Sequence, residues 1–399
     1  MDSYIKTTTL NELCDLITKQ TGFDYSKTIK PSLVNKKIDG YLPFIQNKDF
    51  EGERINLNTD YYVPSEIAKK YPKILLDSTI LLISISGKIG NVGFYNIPQT
   101  SFVGGAICVC RLNKDVNGKY IMYFLQSSKG QFLLLHSVKA ASHSNITVED
   151  IRKLPIPIPS LSEQSRIVGI LDSFTDSIEN LKQQIAQRRK QYEHYRDQLL
   201  DLEGKEGVEM KTLGEIGKCC AGATPSTKND DYWNNGNIPW MSSGEVHQGV
   251  VRQTAKLITQ LGFDNCSTKW LPSNTVVIAL AGQGKTRGTV AITAIELCTN
   301  QSICGIIINR NDINNKYIYY YLRTRYNDLR RVSSGDGTRG GLNLKMIESY
   351  KFPYISLEKQ NKIVSILDTF EASISNLEAQ LAQRQKQYEY YRNQLLTFE

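Results

Sequence analysis

Residues 279–286, Ala-Leu-Ala-Gly-Gln-Gly-Lys-Thr, match a relaxed phosphate-binding loop with Ala in the first position. Nucleotide chemistry would need this loop to open a helix, whose N-terminal N–H groups hold the phosphates. The residues that follow, Arg287-Gly288-Thr289-Val290-Ala291-Ile292, are β-branched and predict a strand instead. A related turn, Ser86-Gly87-Lys88-Ile89-Gly90, follows another apolar run and lacks the loop pattern. Both turns read as basic hairpin tips, with Lys88, Lys285 and Arg287 as candidates for contact with a phosphate backbone. An independent nucleotide-dependent enzyme would rest on residues 279–286 alone.

Other reactive groups are scattered. The eight cysteines stand at 14, 108, 110, 219, 220, 266, 298 and 304, without a Cys-x-x-Cys pair. The histidines at 136, 143, 194 and 247 do not join them, so no structural zinc site and no metal is expected. Free thiols fit a reducing cytoplasm. No Gly-x-Ser-x-Gly, His-Glu-x-x-His or kinase set occurs, no Gly-x-Gly-x-x-Gly follows a strand, and no Asn-Pro-Pro-Tyr-like run that grips a base for methylation is present. His143 and His247 lie in loops where they could touch a ligand. Residues 316–331 (KYIYYYLRTRYNDLRR) interleave five basic residues with five tyrosines, which suits nucleic acid. The alternative is an amphipathic helix with packed tyrosines and solvated arginines. The related stretch KYIMYFLQSSKG has little positive charge, which favours that alternative.

The elements that carry these residues follow from length and repetition. A chain of 399 residues allows two to three domains. Hydrophobic residues make up 40% and charged residues 22%, enough for sizeable cores and too apolar for wholesale disorder. The net charge of +8 permits a polyanion partner. Apolar runs such as residues 275–281 fall short of the about 20 residues of a membrane span. The opening MDSYIKTTTL has no apolar core of a secretory signal, so a cytoplasmic location is expected.

Residues 161–203 and 357–399 align without a gap at an offset of 196, with 26 of 43 positions identical. Weaker echoes lie upstream, such as Tyr120-Ile121-Met122-Tyr123-Phe124-Leu125 against Tyr317-Ile318-Tyr319-Tyr320-Tyr321-Leu322. The chain therefore holds two copies of one plan, joined by residues 204–211. Each repeated segment predicts a long helix of about 40 residues, about 60 Å, with a 3.5-residue apolar period. Ile167, Leu171, Phe174, Ile178 and Leu181 in one copy, and Ile363, Leu367, Phe370, Ile374 and Leu377 in the other, form the helix-pairing seam. Two equal seams in one chain should bury each other as an antiparallel coiled coil. Arg188 and Arg384 fall on the seam, where a polar residue fixes register or its stem packs while the guanidinium reaches water. Pro157, Pro159 and Pro353 mark the helix starts. Between the helices, residues 78–87, 91–95, 274–282 and 288–292 read as strands, with helices at 120–129 and 316–330. The fold class expected is α+β, two globular domains alternating with two long helices in a pseudo-twofold repeat.

The layout resembles the specificity (S) subunit of type I restriction-modification systems, in which two target recognition domains alternate with two conserved helical regions. The resemblance rests on Gly222-Ala223-Thr224-Pro225-Ser226 with Asp231-Tyr232-Trp233 and residues 238–244 (IPWMSSG), on residues 337–343 (GTRGGLN), and on residues 164–200 and 360–396. Thr21-Gly22-Phe23-Asp24-Tyr25 in the first copy lacks the Thr-Pro-Ser element. The resemblance implies target recognition domains over 1–156 and 204–353, with spacer helices over 157–203 and 354–399. It implies a subunit with no catalytic site and no cofactor of its own, reading an asymmetric split site in double-stranded DNA. Its partners would be two methyltransferase subunits that use S-adenosylmethionine to methylate adenine, and restriction subunits that use ATP and Mg. Each domain would read one half-site. Residues 1–203 carry 25 basic and 22 acidic side chains and residues 204–399 carry 23 and 18, so both halves are mildly positive. Readout is expected from loops at 86–91, 141–145, 282–287 and 337–343 and from Ser242-Ser243. The candidates are Ser86, Lys88, Asn91, Ser142, His143, Asn145, Ser242, Ser243, Gln283, Lys285, Arg287, Thr338, Arg339 and Asn343. The other function class that the heptads fit is a coiled-coil scaffold without sequence-specific DNA binding. Inserting four residues, about 6 Å of helix, around Gln183 is expected to change the gap between methylated half-sites by one or two base pairs, as mapped by N6-methyladenine sequencing.

Overall fold

The computed structural model describes residues 5–139, 145–282, 285–333 and 341–398. It contains two units. The first comprises Met1–Gln183 with Ala379–Glu399, and the second Gln184–Glu378.

In the first unit the strand Ile80–Ser84 is buried along its whole length. Successive side chains of a strand point to opposite faces. Leu81 and Ile83 enter a core shared with the helix Gly118–Gln126, and Ile80 and Leu82 enter a second core. Cover on both faces explains the continuous apolar run. The strand is third in an antiparallel sheet ordered Cys14–Lys19, Ile107–Leu112, Ile80–Ser84, Val92–Tyr95. The second core packs against a smaller sheet ordered Tyr62–Pro64, Tyr41–Ile45, Ser101–Val103, Leu75–Leu76. Its central pair, Tyr41–Ile45 with Ser101–Val103, is parallel.

The second unit repeats the plan. Val276 and Ile278 of the strand Val276–Ala279 face one core, and Val277 and Ala279 face another. The main sheet is ordered Gly217–Ala221, Ile303–Ile308, Val276–Ala279, Val290–Thr293, Val250–Val251. The smaller one is ordered Lys256–Ile258, Ile238–Met241, Cys298–Thr299, again with one parallel pair.

The helices expected at 120–129 and 316–330 are each broken in two. Ser127 is extended, its hydroxyl donating to the Phe124 carbonyl (2.6 Å) and accepting from the Gly130 N–H (3.2 Å). It thus ends Gly118–Gln126 and starts Ser128–Lys139. Only glycine fits at 130, where a Cβ would lie 2.1 Å from the Phe124 oxygen. Arg325 separates Asn315–Thr324 from Tyr326–Val332.

Both long helices are present, Leu161–Leu200 and Leu357–Leu395. Ser160 and Ser356 cap their starts, accepting from the Glu163 and Lys359 N–H groups. Pro157 and Pro353 lie in edge strands, Pro155–Ile158 and Lys351–Tyr354, and Pro159 follows the first of these. In the second unit Arg189 bonds Glu378, Tyr192 bonds Glu371 and Tyr195 stacks on Phe370. One number rises as the other falls, so the helices run antiparallel. The ring pair occurs once per unit: Phe174 on Tyr391 (5.4 Å, 27°) and Phe370 on Tyr195 (5.5 Å, 28°). Beside these rings Phe174, Ile178, Leu181, Phe370, Ile374 and Leu377 are half-buried. Ile167, Leu171, Ile363 and Leu367 instead enter the globular cores, joined there by Leu396 in the first unit and Leu200 in the second. Arg384 lies over the Phe174 ring (5.5 Å) and Arg188 over Phe370 (5.8 Å), so the seam arginines pack as cations on aromatic faces.

Each long helix is bound to its own domain by the same polar contacts. The buried Gln164 accepts from the Asn117 N–H (3.0 Å) and donates to the Pro159 carbonyl (2.9 Å). Gln360 accepts from the Asn314 N–H (2.8 Å) and donates to the carbonyls of Asp312 (3.0 Å) and Ile355 (2.8 Å). Lys119 pairs with Asp172, and Lys316 with Asp368, both at 2.7 Å. The Tyr123 hydroxyl lies 2.7 Å from Asp172 and 2.8 Å from Glu53, and that of Tyr320 2.7 Å from Asp368 and 3.0 Å from Glu371. In the second unit Arg323 balances the extra carboxylate, 2.8 Å from Glu371. Among the described residues no arginine forms an ion pair with Glu53. Burial pushes its carboxyl up, with Asp172 adding to the shift against the Tyr123 and Tyr388 hydrogen bonds.

Two outcomes follow from these contacts. Gln360→Leu strands the buried Asn314 N–H and two carbonyls and is expected to cost at least about 1–3 kcal/mol in denaturant unfolding. Glu53 holds its proton more tightly folded than unfolded. Its contribution is full at acid pH, below the ordinary carboxylate range, and is lost as pH rises through its raised pKa. Glu53→Gln should therefore remove this part of the fall, so the stability difference between variant and wild type grows in the variant's favour as pH rises.

Candidate nucleic-acid interface

In the first unit the turn after Ile80–Ser84 is pinned from three sides. The Ser84 hydroxyl donates to the Lys88 carbonyl, Asn47 Nδ2 to the Ser86 carbonyl, and Asn91 Nδ2 to the Asn47 carbonyl (3.4 Å). Gly87 and Gly90 take positive φ (75° and 90°), which side-chain-bearing residues rarely adopt. The amides of Ser86 and Lys88 are thereby fixed in a rigid loop, with the Lys88 side chain exposed and Ser86 and Asn91 half-buried. Residues 145–146 are brought alongside, since the Ile146 N–H donates to the Ile85 carbonyl (3.0 Å) and Asn145 is exposed. Ser142 and His143 lie outside the described residues. The Ala106 carbonyl accepts from the Ile85 N–H (2.9 Å) and joins residues 104–106 to the same edge.

The second unit places its turn in the same way. The strand Val276–Ala279 pairs antiparallel with the strand Val290–Thr293, so a strand and not a helix follows the phosphate-loop-like residues. Among the described residues no helix N-terminus for phosphate lies at this turn. Lys285 is exposed, whereas Arg287 is buried at 7% and does not offer its guanidinium at the tip. The Leu342 N–H donates to the Leu280 carbonyl (2.9 Å), bringing residues 341–343 to this edge. Asn343 caps the short helix Leu344–Glu348, accepting from the Met346 N–H (2.9 Å). Gln283, Thr338 and Arg339 lie outside the described residues. Ser242 is held in a capping box: its N–H (2.7 Å) and hydroxyl (2.9 Å) both donate to the buried Glu245, which also accepts from the Ala255 N–H (2.7 Å). Its hydroxyl is committed to the loop. Ser243 beside it is half-buried, and His247 is exposed.

Residues 316–331 do not form a stacking platform. Tyr317, Tyr319, Tyr320 and Tyr321 are at most 2% exposed. Arg323 pairs with Glu371, Arg325 with Glu203 (3.2 Å) and Arg331 with Asp328. The tyrosines are core, and these arginines neutralise nearby carboxylates.

All eight cysteines are free thiols. Burial pushes the Cys298 thiol up to about 12, far from a reactive thiolate at neutral pH. Among the described residues no group of three or more His, Cys, Asp or Glu side chains could hold a metal ion, and no helix is long and apolar enough to cross a membrane.

One feature of the edge escaped the sequence reading. Beside the 85–91 turn of the first unit is a cleft of about 610 Å³, lined by Lys19, Gln20, Thr21, Tyr25, Gln46 and Gly104–Ile107 among others. Its sequence signal is the place where Thr21-Gly22-Phe23 departs from Ala223-Thr224-Pro225 of the other copy.

The type I restriction modification DNA specificity domain matches residues 3–188 and again residues 205–385. The chain is 35% identical over 294 residues to the type I restriction enzyme EcoR124I/EcoR124II specificity subunit of Escherichia coli, which covers 70% of each chain. The fold resembles that of the type I restriction-modification S subunit of M. genitalium (TM-score 0.59, 18% identity, 100% of this chain and 98% of that one). It also resembles a chain from a structure addressing complex assembly and conformational transition of the type I R-M system (TM-score 0.61, 17% identity, 98% and 96%). Two copies of the domain, each with its own two-sheet unit and each running into a long helix that it includes for most of its length, make this chain a member of the type I restriction-modification specificity subunit family.

Proposed function

We propose that each unit reads one half of an asymmetric, bipartite site in double-stranded DNA, through the turn-and-loop edge at 85–91 and 145–146 in one and 280–288 and 341–343 in the other. The observation that carries this reading is a common frame with unlike ends. Strand order and helix anchoring recur in both units, while the edge residues differ, Ser86, Lys88 and Asn91 against Lys285. Hydrogen-bonding side chains on fixed loops are the means by which base edges are read, and exposed lysines supply sequence-independent contacts to phosphate.

In this reading the chain contributes recognition, and the chemistry belongs to partners. Two methyltransferase subunits, carrying S-adenosylmethionine, would modify adenine in the two half-sites. Restriction subunits, using ATP and Mg, would cut where the site is unmodified.

The test is co-expression with a cognate methyltransferase subunit and mapping of N6-methyladenine. A split motif with unlike halves is expected. Exchanging residues 212–353 for those of another specificity subunit should change one half and leave the other intact. An unsplit motif, or one unaffected by the exchange, would refute the reading. A scaffold without DNA specificity would show no preference among duplexes in competition binding at moderate salt.

A further inference from the structure

Gln20 follows the strand Cys14–Lys19 and is 3% exposed. Neither polar atom of its amide has a hydrogen-bond partner among the described residues. A buried amide in this state has given up water and received nothing in return, and native structures contain few of them. The side chain lies against residues 104–105, where no side chain competes for space. A Cβ at Gly105 would come within 3.3 Å of Gln20 Oε1, and one at Gly104 within 3.2 Å of the Ile45 carbonyl. The adjoining cleft has Lys19, Thr21 and Gln46 on its polar side. Its apolar wall is Tyr25 and Phe44, whose rings are nearly parallel (14°) with centroids 6.5 Å apart. Gln20 itself lines this cleft. The cleft borders the pinned turn, since Gln46 precedes Asn47, which holds Ser86, and Ala106 is bonded to Ile85.

The second unit is arranged differently at the same place. Strand register sets Lys19 opposite Cys108 and Ala221 opposite Cys304, so Gly222 corresponds to Gln20 and Gln301 to Gly105. Gly222 packs directly on Thr299, where a Cβ would lie 1.8 Å from the carbonyl oxygen. The glutamine here is the exposed Gln301, from the turn that leads into the facing strand Ile303–Ile308, and its Oε1 accepts from the Thr224 hydroxyl (2.6 Å). The two units thus bring a glutamine to equivalent edges from opposite sides of the strand pair, one after the end of its strand and one before the start of the facing strand.

We propose that Gln20 is a specificity-determining residue, whose amide turns into the cleft and hydrogen-bonds the edge of a base at its mouth. This rests on the reading that each unit addresses one half-site. The carboxamide offers a donor and an acceptor side by side, the complement of the N6 and N7 edge of adenine. Contact with the base supplies the bonds that the free protein leaves unmade.

The test uses the complex assembled with its methyltransferase subunits, with N6-methyladenine mapping and thermal unfolding as readouts. Gln20→Ala should relax one position, in one half of the motif, by about tenfold or more, without lowering the unfolding temperature. Gln20→Glu, an acceptor without the donor, should move preference at that position from adenine towards cytosine. The wild-type motif retained at every position in both variants overturns the proposal. So does an equal weakening of both halves with a lowered unfolding temperature, which marks a structural residue. A wild-type complex without a split motif would instead remove the half-site reading on which the proposal rests.

Discussion

The start of one long helix and the end of the other meet inside each globular core. Ile167 and Leu171 share the first core with Leu396, and Ile363 and Leu367 share the second with Leu200. The remainder of the architecture depends on this closure. A two-sheet unit presents an apolar face that its own residues do not cover, and the helices supply the cover. Each helix is also tied to its domain by a buried glutamine and a Lys–Asp pair, so its orientation is set by directional bonds as well as by burial.

Against that shared frame, the differences between the copies fall at defined positions. A carboxyl faces the Tyr123 and Tyr320 hydroxyls in both units, but it comes from Glu53 of a hairpin in one and from Glu371 of the helix in the other. The same contact is made with residues that do not align. At the loop edge, where no core constrains the side chains, the copies diverge further. A frame that tolerates such exchange allows the readers to differ while the helices keep nearly the same sequence.

Much of this was legible in the residues. The offset of 196 exposed the duplication, and the apolar runs at 80–84 and 276–279 marked strands covered on both faces. The break at Ser127 was not legible, because it depends on a serine hydroxyl and on the close approach of Gly130 to the preceding turn. Arg287 and Ser242 looked available because sequence reports residue type, whereas burial and the capping carboxylate of Glu245 are properties of the fold. Gln20 carries no local signal at all. Its distinction is the lack of a partner, which exists only once the strand beside Gly105 is in place.

The closure of the first core by residues near position 396 also governs the order in which the chain can fold during synthesis. The second core draws on residues 184–378, whereas the first joins residues below 184 to those beyond 378. The domain made first is therefore completed last, after the whole of the other has emerged. Until then Ile167 and Leu171 wait without Leu396. Contacts across so long a stretch of chain form slowly and leave apolar surface open meanwhile. A nascent first unit thus keeps apolar surface uncovered until the residues near 396 have been made.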